Sequence, residues 1–126
     1  MPIAGMNHFT ILSDDLEATK AFYIGILGLK EGYRPPLSFP GSWLYAGDQA
    51  VLHVIAGRPL PPDPRGVIDH LAFSADDLPA TAKKLDSAGI KYELRKQVDS
   101  GTWQLFCFDP CGARVELDFE PGEQAP

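Results

Sequence analysis

Four side chains in this sequence are typical ligands of a divalent metal ion, and they recur at regular spacing. His8 and His70 lie 62 residues apart (70 − 8 = 62), each at the start of a stretch in which apolar and polar residues alternate. His53 follows the first by 45 residues (53 − 8 = 45), and Glu116 follows the second by 46 (116 − 70 = 46). Neutral imidazoles with one carboxylate suit divalent Zn, Ni, Mn, Fe or Co. We therefore expect His8, His70 and Glu116 to bind a divalent metal ion. His53 is a fourth candidate ligand.

A metal site of this composition is typical of catalysis rather than of structural support. Two histidines and one carboxylate on one side of an ion leave positions open for substrate and water, whereas a structural zinc site closes its fourth position, usually with a thiolate. Cys107 and Cys111 stand four residues apart, and we expect both to be reduced thiols. Glu116 and His53 are then the candidates for moving protons during catalysis.

The histidines belong to an internal duplication. The segment N-H-F-T-I-L-S-D-D-L-E-A-T at residues 7–19 returns as D-H-L-A-F-S-A-D-D-L-P-A-T at residues 69–81, with the paired aspartates matched at one offset. Proline-rich residues 58–66 separate the copies. We expect a single domain, 1–126, made of two repeats at about 5–57 and 67–119. A short, frayed polar tail at 120–126 ends the chain.

Each repeat is predicted to form one helix and four strands. Alternation of apolar and polar residues indicates strands, and the Asp-Asp pairs supply helix N-cap chemistry. The predicted strands are 5–12, 29–34, 42–46, 50–56, 67–74, 90–95, 102–108 and 113–119, and the helices begin at Ser13 and Asp77 and end at Gly28 and Gly89. The predicted fold is α+β, with two βαβββ modules that bring the four candidate ligands to a common central cleft.

Composition excludes several classes of partner. The formal net charge is -6 and no cluster of basic residues exceeds the Lys83-Lys84 pair, so nucleic acid is not an expected partner. No apolar run approaches the roughly 20 residues that span a bilayer, and no basic and apolar leader opens the chain. We expect a cytoplasmic protein that acts on a small molecule and does not bind membranes.

Four segments of the chain carry a family likeness: the N-H-F-T-I-L start, F-Y-I-G-I-L-G-L-K at 22–30, the D-H-L-A-F strand, and Q-L-F-C-F-D-P-C-G-A-R-V-E-L at 104–117. They resemble the vicinal oxygen chelate superfamily. This superfamily includes glyoxalase I, bleomycin-resistance proteins, fosfomycin-resistance thiol transferases, methylmalonyl-CoA epimerase and extradiol dioxygenases. The resemblance covers nearly the whole chain. It implies two paired βαβββ modules forming a cupped mixed sheet around a central metal cleft, and a homodimer. It matches His8, His70 and Glu116 to the common ligand triad, and it places His53 where glyoxalase I has an acidic ligand.

Several reactions are compatible with this resemblance, because the superfamily shares a scaffold and not a chemistry. The leading interpretation is a divalent-metal-dependent, glyoxalase-like isomerase or lyase acting on a small substrate that chelates the metal through vicinal oxygens. One alternative is an extradiol-type ring-cleaving dioxygenase, although no Tyr lies between Trp103 and Phe108 and His53 is the only spare histidine. The other alternative is a metal-free, bleomycin-resistance-like drug-binding protein.

Aromatic and basic residues on the middle and last strands are the candidates for substrate binding. Trp43, Trp103 and Phe106 can cover a small apolar or aromatic ligand, or they can belong to the core or to a dimer interface. Arg34 and Arg114 are the candidates for meeting a carboxylate or enolate oxygen.

Overall fold

The computed structural model describes residues 2–126 and divides the chain into two compact units, with the boundary between Pro61 and Pro62. Each unit contains a mixed four-stranded sheet and one helical segment. The predicted α+β class with two βαβββ modules is therefore confirmed. The strands are β1 (Phe9–Ser13), β2 (Lys30–Glu31), β3 (Gly41–Ala46), β4 (Gln49–Ala56), β5 (Leu71–Ser74), β6 (Glu93–Lys96), β7 (Trp103–Phe108) and β8 (Arg114–Phe119), and the α-helices are α1 (Leu16–Lys20) and α2 (Leu78–Ser87).

The two sheets have the same topology. The first has the strand order β1-β4-β3-β2 and the second β5-β8-β7-β6, and in each the first strand runs parallel to the last. Thr10 pairs with His53 and Ala72 pairs with Glu116. Thr10 and Ala72 are related by the repeat offset (72 − 10 = 62), so His53 and Glu116 occupy equivalent positions in the two units.

The core of each unit lies between one sheet face and the helix. In the second unit, Leu78, Ala82 and Leu85 form the buried stripe of α2. Leu105 and Val115 of the sheet are likewise fully buried. Alternation then directs the neighbouring residues of each strand, including Glu116, towards the opposite face.

The first helix departs from regular α-helical geometry. After the five residues of α1 it continues as a π-helical segment, Ala21–Ile26, where the amide of Leu27 reaches back five residues to the carbonyl of Phe22 at 3.1 Å. The wider turn accompanies the burial of the two neighbouring aromatic rings, Phe22 and Tyr23, which meet edge to face at 4.9 Å. The sequence predicted a helix here but not its changed pitch.

The C-terminal tail contacts the rest of the second unit through Glu123. Both carboxylate oxygens of Glu123 accept hydrogen bonds from the start of α2, from the amides of Asp77 at 2.8 Å and Leu78 at 3.0 Å. The Glu123 carbonyl accepts a third from Nε1 of Trp103 at 3.1 Å. A carboxylate is stabilised at a helix N-terminus by unpaired amides and the helix dipole. None of the helices within residues 2–126 is long and apolar enough to cross a membrane.

We predict that Asp77→Ala lowers the free energy of unfolding by about 1–2 kcal/mol. Asp77 caps α2 by accepting the amide of Ala80 at 3.2 Å, and its φ of 62° is a left-handed conformation that alanine adopts poorly. Asn keeps both the acceptor oxygen and the tolerance for positive φ, so Asp77→Asn is the matched control. Urea unfolding followed by circular dichroism measures the difference, and equal losses for the two variants would contradict this explanation.

Candidate functional site

In the second unit the predicted ligands His70 and Glu116 lie in direct contact. His70 immediately precedes β5 and Glu116 lies on the parallel neighbour β8, so the register brings the two side chains together. Nε2 of His70 is 2.9 Å from Oε1 of Glu116. The Glu116 carboxyl is buried, whereas the His70 ring is one-third exposed. A buried carboxylate facing a partly exposed imidazole is a suitable pair of donors for a cation at the surface of the sheet.

Asp69 fixes the orientation of the His70 ring. Its Oδ2 is 2.8 Å from Nδ1 of His70, and because a carboxylate can only accept, Nδ1 carries a proton. Nε2 is then directed at Glu116. At this distance either a proton or a metal ion can bridge Nε2 of His70 and Oε1 of Glu116. This carboxylate–histidine arrangement is the one that commonly orients a metal-binding imidazole.

The first unit repeats this orienting contact. Oδ1 of Asn7 is 2.7 Å from Nδ1 of His8, and Asn7 is equivalent to Asp69 in the repeat (69 − 7 = 62). In both units a side-chain oxygen of the preceding residue thus contacts Nδ1, and Nε2 is the ring nitrogen left to bind another group. Asn7 and Asp69 were not among the site residues predicted from the sequence. The Asn-His and Asp-His pairs at matching positions of the two copies were the pattern that could have identified them.

His8 and His53 of the first unit form part of a stack of three rings. The His53 ring lies 3.7 Å from that of His8 and 3.8 Å from that of Trp43, with interplanar angles of 15° and 9°. Burial and the nearby His8 lower the pKa of His53. A hydrogen bond to the Ala50 backbone raises this pKa, but by less. The neutral imidazole of His53 is thereby favoured, which is the form needed to bind a metal or accept a proton.

The Glu116 carboxyl is held by polar neighbours on the same face. Burial disfavours its ionised form, but hydrogen bonds from Asp118 and Gln104 and the proximity of His70 outweigh this, and the pKa of Glu116 is lowered. Burial and the adjacent Glu116 raise the pKa of Asp118 to about 6. Oδ1 of Asp118 is buried without a hydrogen-bond partner among the described residues. Glu116 is therefore the ionised member of this carboxyl pair.

The other predicted site residues fall into separate environments. Phe106 pairs with Glu116 in the β7–β8 register and shares its face, together with Arg114. Trp103 pairs with Phe119 and lies on the opposite face, so it does not share the face of Phe106. The Arg34 guanidinium donates to the Phe39 carbonyl at 2.7 Å and stacks on the Phe39 ring.

The described residues contain no larger group of metal-binding side chains than the pairs given above. Among residues 2–126 no three His, Cys, Asp or Glu side chains converge on one point. Cys107 and Cys111 are free thiols, as expected. Burial and the nearby Asp109 raise the pKa of Cys107 to about 11, so this thiol stays protonated at neutral pH and is a poor metal ligand.

We predict that Asp69 determines the tautomer of His70. In Asp69→Leu the Nδ1 acceptor is lost, and the neutral ring should shift by about tenfold or more towards the Nε2–H form, as expected for loss of a hydrogen bond to a charged group. Asp69→Asn keeps an acceptor oxygen, as Asn7 does in the first unit, and should keep the Nδ1–H form. Imidazole ¹⁵N chemical shifts, assigned with His70→Gln, report the ratio. An unchanged Nδ1–H form in Asp69→Leu would show that another group orients the ring.

Comparison with known proteins places this geometry in a family. The model of the Glyoxalase/Bleomycin resistance protein/Dioxygenase superfamily matches residues 5–117. The uncharacterized protein YaeR of Escherichia coli (strain K12) is 34% identical over 122 residues, covering 89% of this chain and 93% of that protein. Among solved structures, a glyoxalase family protein from Bacillus anthracis has a TM-score of 0.77 at 23% identity, covering 94% of this chain and 96% of that one.

Two further structures carry names that specify different functions. A lactoylglutathione lyase from Agrobacterium tumefaciens has a TM-score of 0.68 at 21% identity and covers 94% of this chain and 96% of its own. The fosfomycin resistance protein FosX from Listeria monocytogenes has a TM-score of 0.73 at 19% identity and covers 93% of each chain. These likenesses concern the fold alone. The match of the family model over residues 5–117 and the 34% identity to YaeR establish that the chain belongs to the glyoxalase/bleomycin resistance protein/dioxygenase superfamily.

Proposed function

We propose that this chain is a divalent-metal-dependent enzyme of the glyoxalase type, an isomerase or lyase whose small substrate presents two vicinal oxygens. The contact of 2.9 Å between His70 Nε2 and Glu116 Oε1 carries the proposal, because it brings an oriented imidazole and a buried carboxylate together. Members of this superfamily are often enzymes, commonly use divalent metals and bind small molecules.

The donors fit a divalent ion. The 2.9 Å contact places the His70 imidazole and the Glu116 carboxylate close enough that both would hold one ion. Asp69 accepts a hydrogen bond from Nδ1 of His70, as carboxylates commonly do beside metal-binding histidines. We propose that His8 supplies a third donor, with His53 as a fourth candidate, and that the ion is Zn, Ni, Mn, Fe or Co.

In the proposed reaction the side chains of this chain accept and return protons. When bound, the ion would supply Lewis acidity to the two vicinal oxygens. Glu116, whose lowered pKa keeps it ionised, takes a proton from a substrate carbon next to those oxygens and returns it to the neighbouring atom. His53, whose lowered pKa keeps it neutral, is a second group able to accept a proton.

The ring stack favours one alternative function. Trp43, His53 and His8 present parallel aromatic faces, and His8 at the end of the stack is exposed. Such a surface suits a flat aromatic ligand, as a metal-free drug-binding protein of the bleomycin-resistance kind requires. An extradiol-type dioxygenase remains the other alternative, since two histidines and one carboxylate also form the facial triad of non-haem iron.

We predict near-stoichiometric divalent metal in protein purified without chelator or metal-affinity resin. His8→Ala, His70→Ala and Glu116→Gln should each reduce the metal content to background because each removes a ligand atom, whereas Glu120→Gln, an exposed carboxyl outside the strands, should retain it. Elemental analysis by mass spectrometry measures this, and His53→Ala decides whether that ring is a ligand.

The identity of the metal separates the candidate functions. Zinc, nickel, manganese or cobalt in the purified protein would favour isomerase or lyase chemistry. Iron would favour the dioxygenase alternative, and ring cleavage would then be the activity to assay. Absence of metal in the wild type, with no uptake from a divalent series, would refute the enzymatic proposal in favour of metal-free ligand binding.

We also propose that the protein is a homodimer, since superfamily members typically dimerise. Light scattering coupled to size exclusion should then give about 27 kDa, twice the 13.7 kDa of one chain (2 × 13.7 = 27.4). A mass of one chain at micromolar concentration would exclude a stable dimer.

A further inference from the structure

The two oxygens of the Glu116 carboxyl have different partners. Oε1 lies 2.9 Å from Nε2 of His70, whereas Oε2 accepts a hydrogen bond from Nε2 of Gln104 at 3.2 Å. Because the ionised carboxyl of Glu116 can only accept hydrogen bonds, the Gln104 amide presents its nitrogen to Glu116 and not its oxygen. Gln104 therefore contacts the oxygen of Glu116 that does not face the histidine.

The strand register explains how Gln104 reaches a residue with which it does not pair. In the antiparallel β7–β8 ladder Phe106 lies opposite Glu116. Gln104 precedes Phe106 by two residues, so it is a diagonal neighbour of Glu116 on the same face of the sheet. Residues in this relation are about 7–8 Å apart, within reach of long side chains only. Glutamine has the required length, and asparagine is one methylene too short.

The first unit has no side chain at the position of Gln104. Trp43 lies opposite His53, which is equivalent to Glu116 in the repeat. Two residues before Trp43 stands Gly41, where the second unit has Gln104. The amide is thus present in the unit whose facing residue is a carboxylate with a second oxygen to hold. It is missing from the unit in which the facing residue is a ring.

Asp118 is the other polar neighbour that hydrogen-bonds to the Glu116 carboxyl. A carboxyl group donates only while it carries a proton, whereas the amide of Gln104 donates at any pH. Asp118 can therefore hold Glu116 in one of its protonation states only. Of these two neighbours, Gln104 is the constant donor to Glu116.

We propose that Gln104 is a positioning residue that determines which oxygen of Glu116 is free to bind a cation. With Oε2 held by Gln104, Oε1 alone is presented on the side of His70, and the carboxyl offers one donor atom instead of two. This inference rests on the proposed function and deepens it, because a ligand that binds through one oxygen leaves more positions open for the vicinal oxygens of a substrate.

The contact itself is tested in metal-free protein in the presence of EDTA. In side-chain ¹H–¹⁵N NMR spectra one Nε2 proton of Gln104 should resonate downfield of those of the exposed Gln97 and Gln124, because it is bound to a carboxylate. Gln104→Met assigns the signal by its loss. Glu116→Ala removes the acceptor and should shift this proton to the position of the exposed glutamines. The same position in wild type would overturn the proposal.

The role of Gln104 towards a cation is tested by zinc affinity, measured by competition with a chromophoric chelator. Gln104→Met has a similar length without a donor, and Gln104→Asn keeps the amide but is too short to reach Glu116. Both variants should bind zinc about tenfold more weakly than wild type, because the freed carboxyl must be ordered again when the ion binds.

Gln97→Met is the matched control. Gln97 follows β6 on the same hairpin and is exposed, and its side-chain oxygen accepts a hydrogen bond from Oγ of Ser100 at 2.6 Å. This variant should bind zinc within about twofold of wild type, as is usual for a surface substitution. Equal losses of affinity in Gln97→Met and Gln104→Met would overturn the proposal.

Infrared spectroscopy separates positioning of the carboxyl from a general loss of stability. Difference spectra between zinc-loaded and metal-free protein, assigned with Glu116→Gln, give the separation between the antisymmetric and symmetric carboxylate stretches. This separation is wide for a carboxylate bound through one oxygen and narrow for one bound through both. It should be wide in wild type and in Gln97→Met, and narrow in Gln104→Met. An unchanged separation in Gln104→Met would overturn the proposal whatever the loss of affinity.

The failure of this proposal can be distinguished from the failure of the proposed function. A wild-type protein that takes up no ion of a divalent series would refute both, and the NMR contact would then be a feature of the metal-free protein alone. Zinc uptake by wild type, with the same affinity and the same carboxylate stretches in Gln104→Met, would overturn only the role of Gln104.

Discussion

The parallel pairing of the first and last strand of each unit is the constraint on which both candidate sites depend. Parallel neighbours cannot be joined by a tight turn, so the helix and the two middle strands must lie between them in the chain. The pairing sets Thr10 against His53 and Ala72 against Glu116. His8 and His70 lie two residues before Thr10 and Ala72. Each therefore contacts a side chain more than forty residues away in the sequence, His53 or Glu116. A one-residue slip of this register would turn Glu116 to the apolar face.

The two units share this frame but use it for different chemistry. The first unit has His53 at this position, stacked between His8 and Trp43. The second unit has Glu116 there, in contact with His70. The orienting contact to Nδ1 is kept in both, through an amide oxygen in one and a carboxylate in the other. The two units thus share the position of the histidine, while the facing residue is a ring in one and an acid in the other.

Burial explains why the second unit is so densely polar. A carboxylate removed from water loses its hydration and requires replacement partners, and Glu116 obtains them from His70, Gln104 and Asp118. Asp69 in turn neutralises part of the charge of Arg114. The proposed metal pair and Arg114 therefore belong to one network of charges, in which Asp69 contacts both His70 and Arg114.

The sequence by itself determined the repeat, the number and order of strands, the two helix caps and the identity of the paired residues on each unit, because alternation, capping residues and duplication are local patterns. It did not reveal the π-helical segment, the attachment of Glu123 to the start of α2, or the contact of Asp69 with Arg114. The pitch of the π-helical segment accompanies the packing of Phe22 and Tyr23. Only the tertiary structure decided the contacts of Glu123 and Asp69, because their partners lie about 45 residues away along the chain and leave no periodic signal.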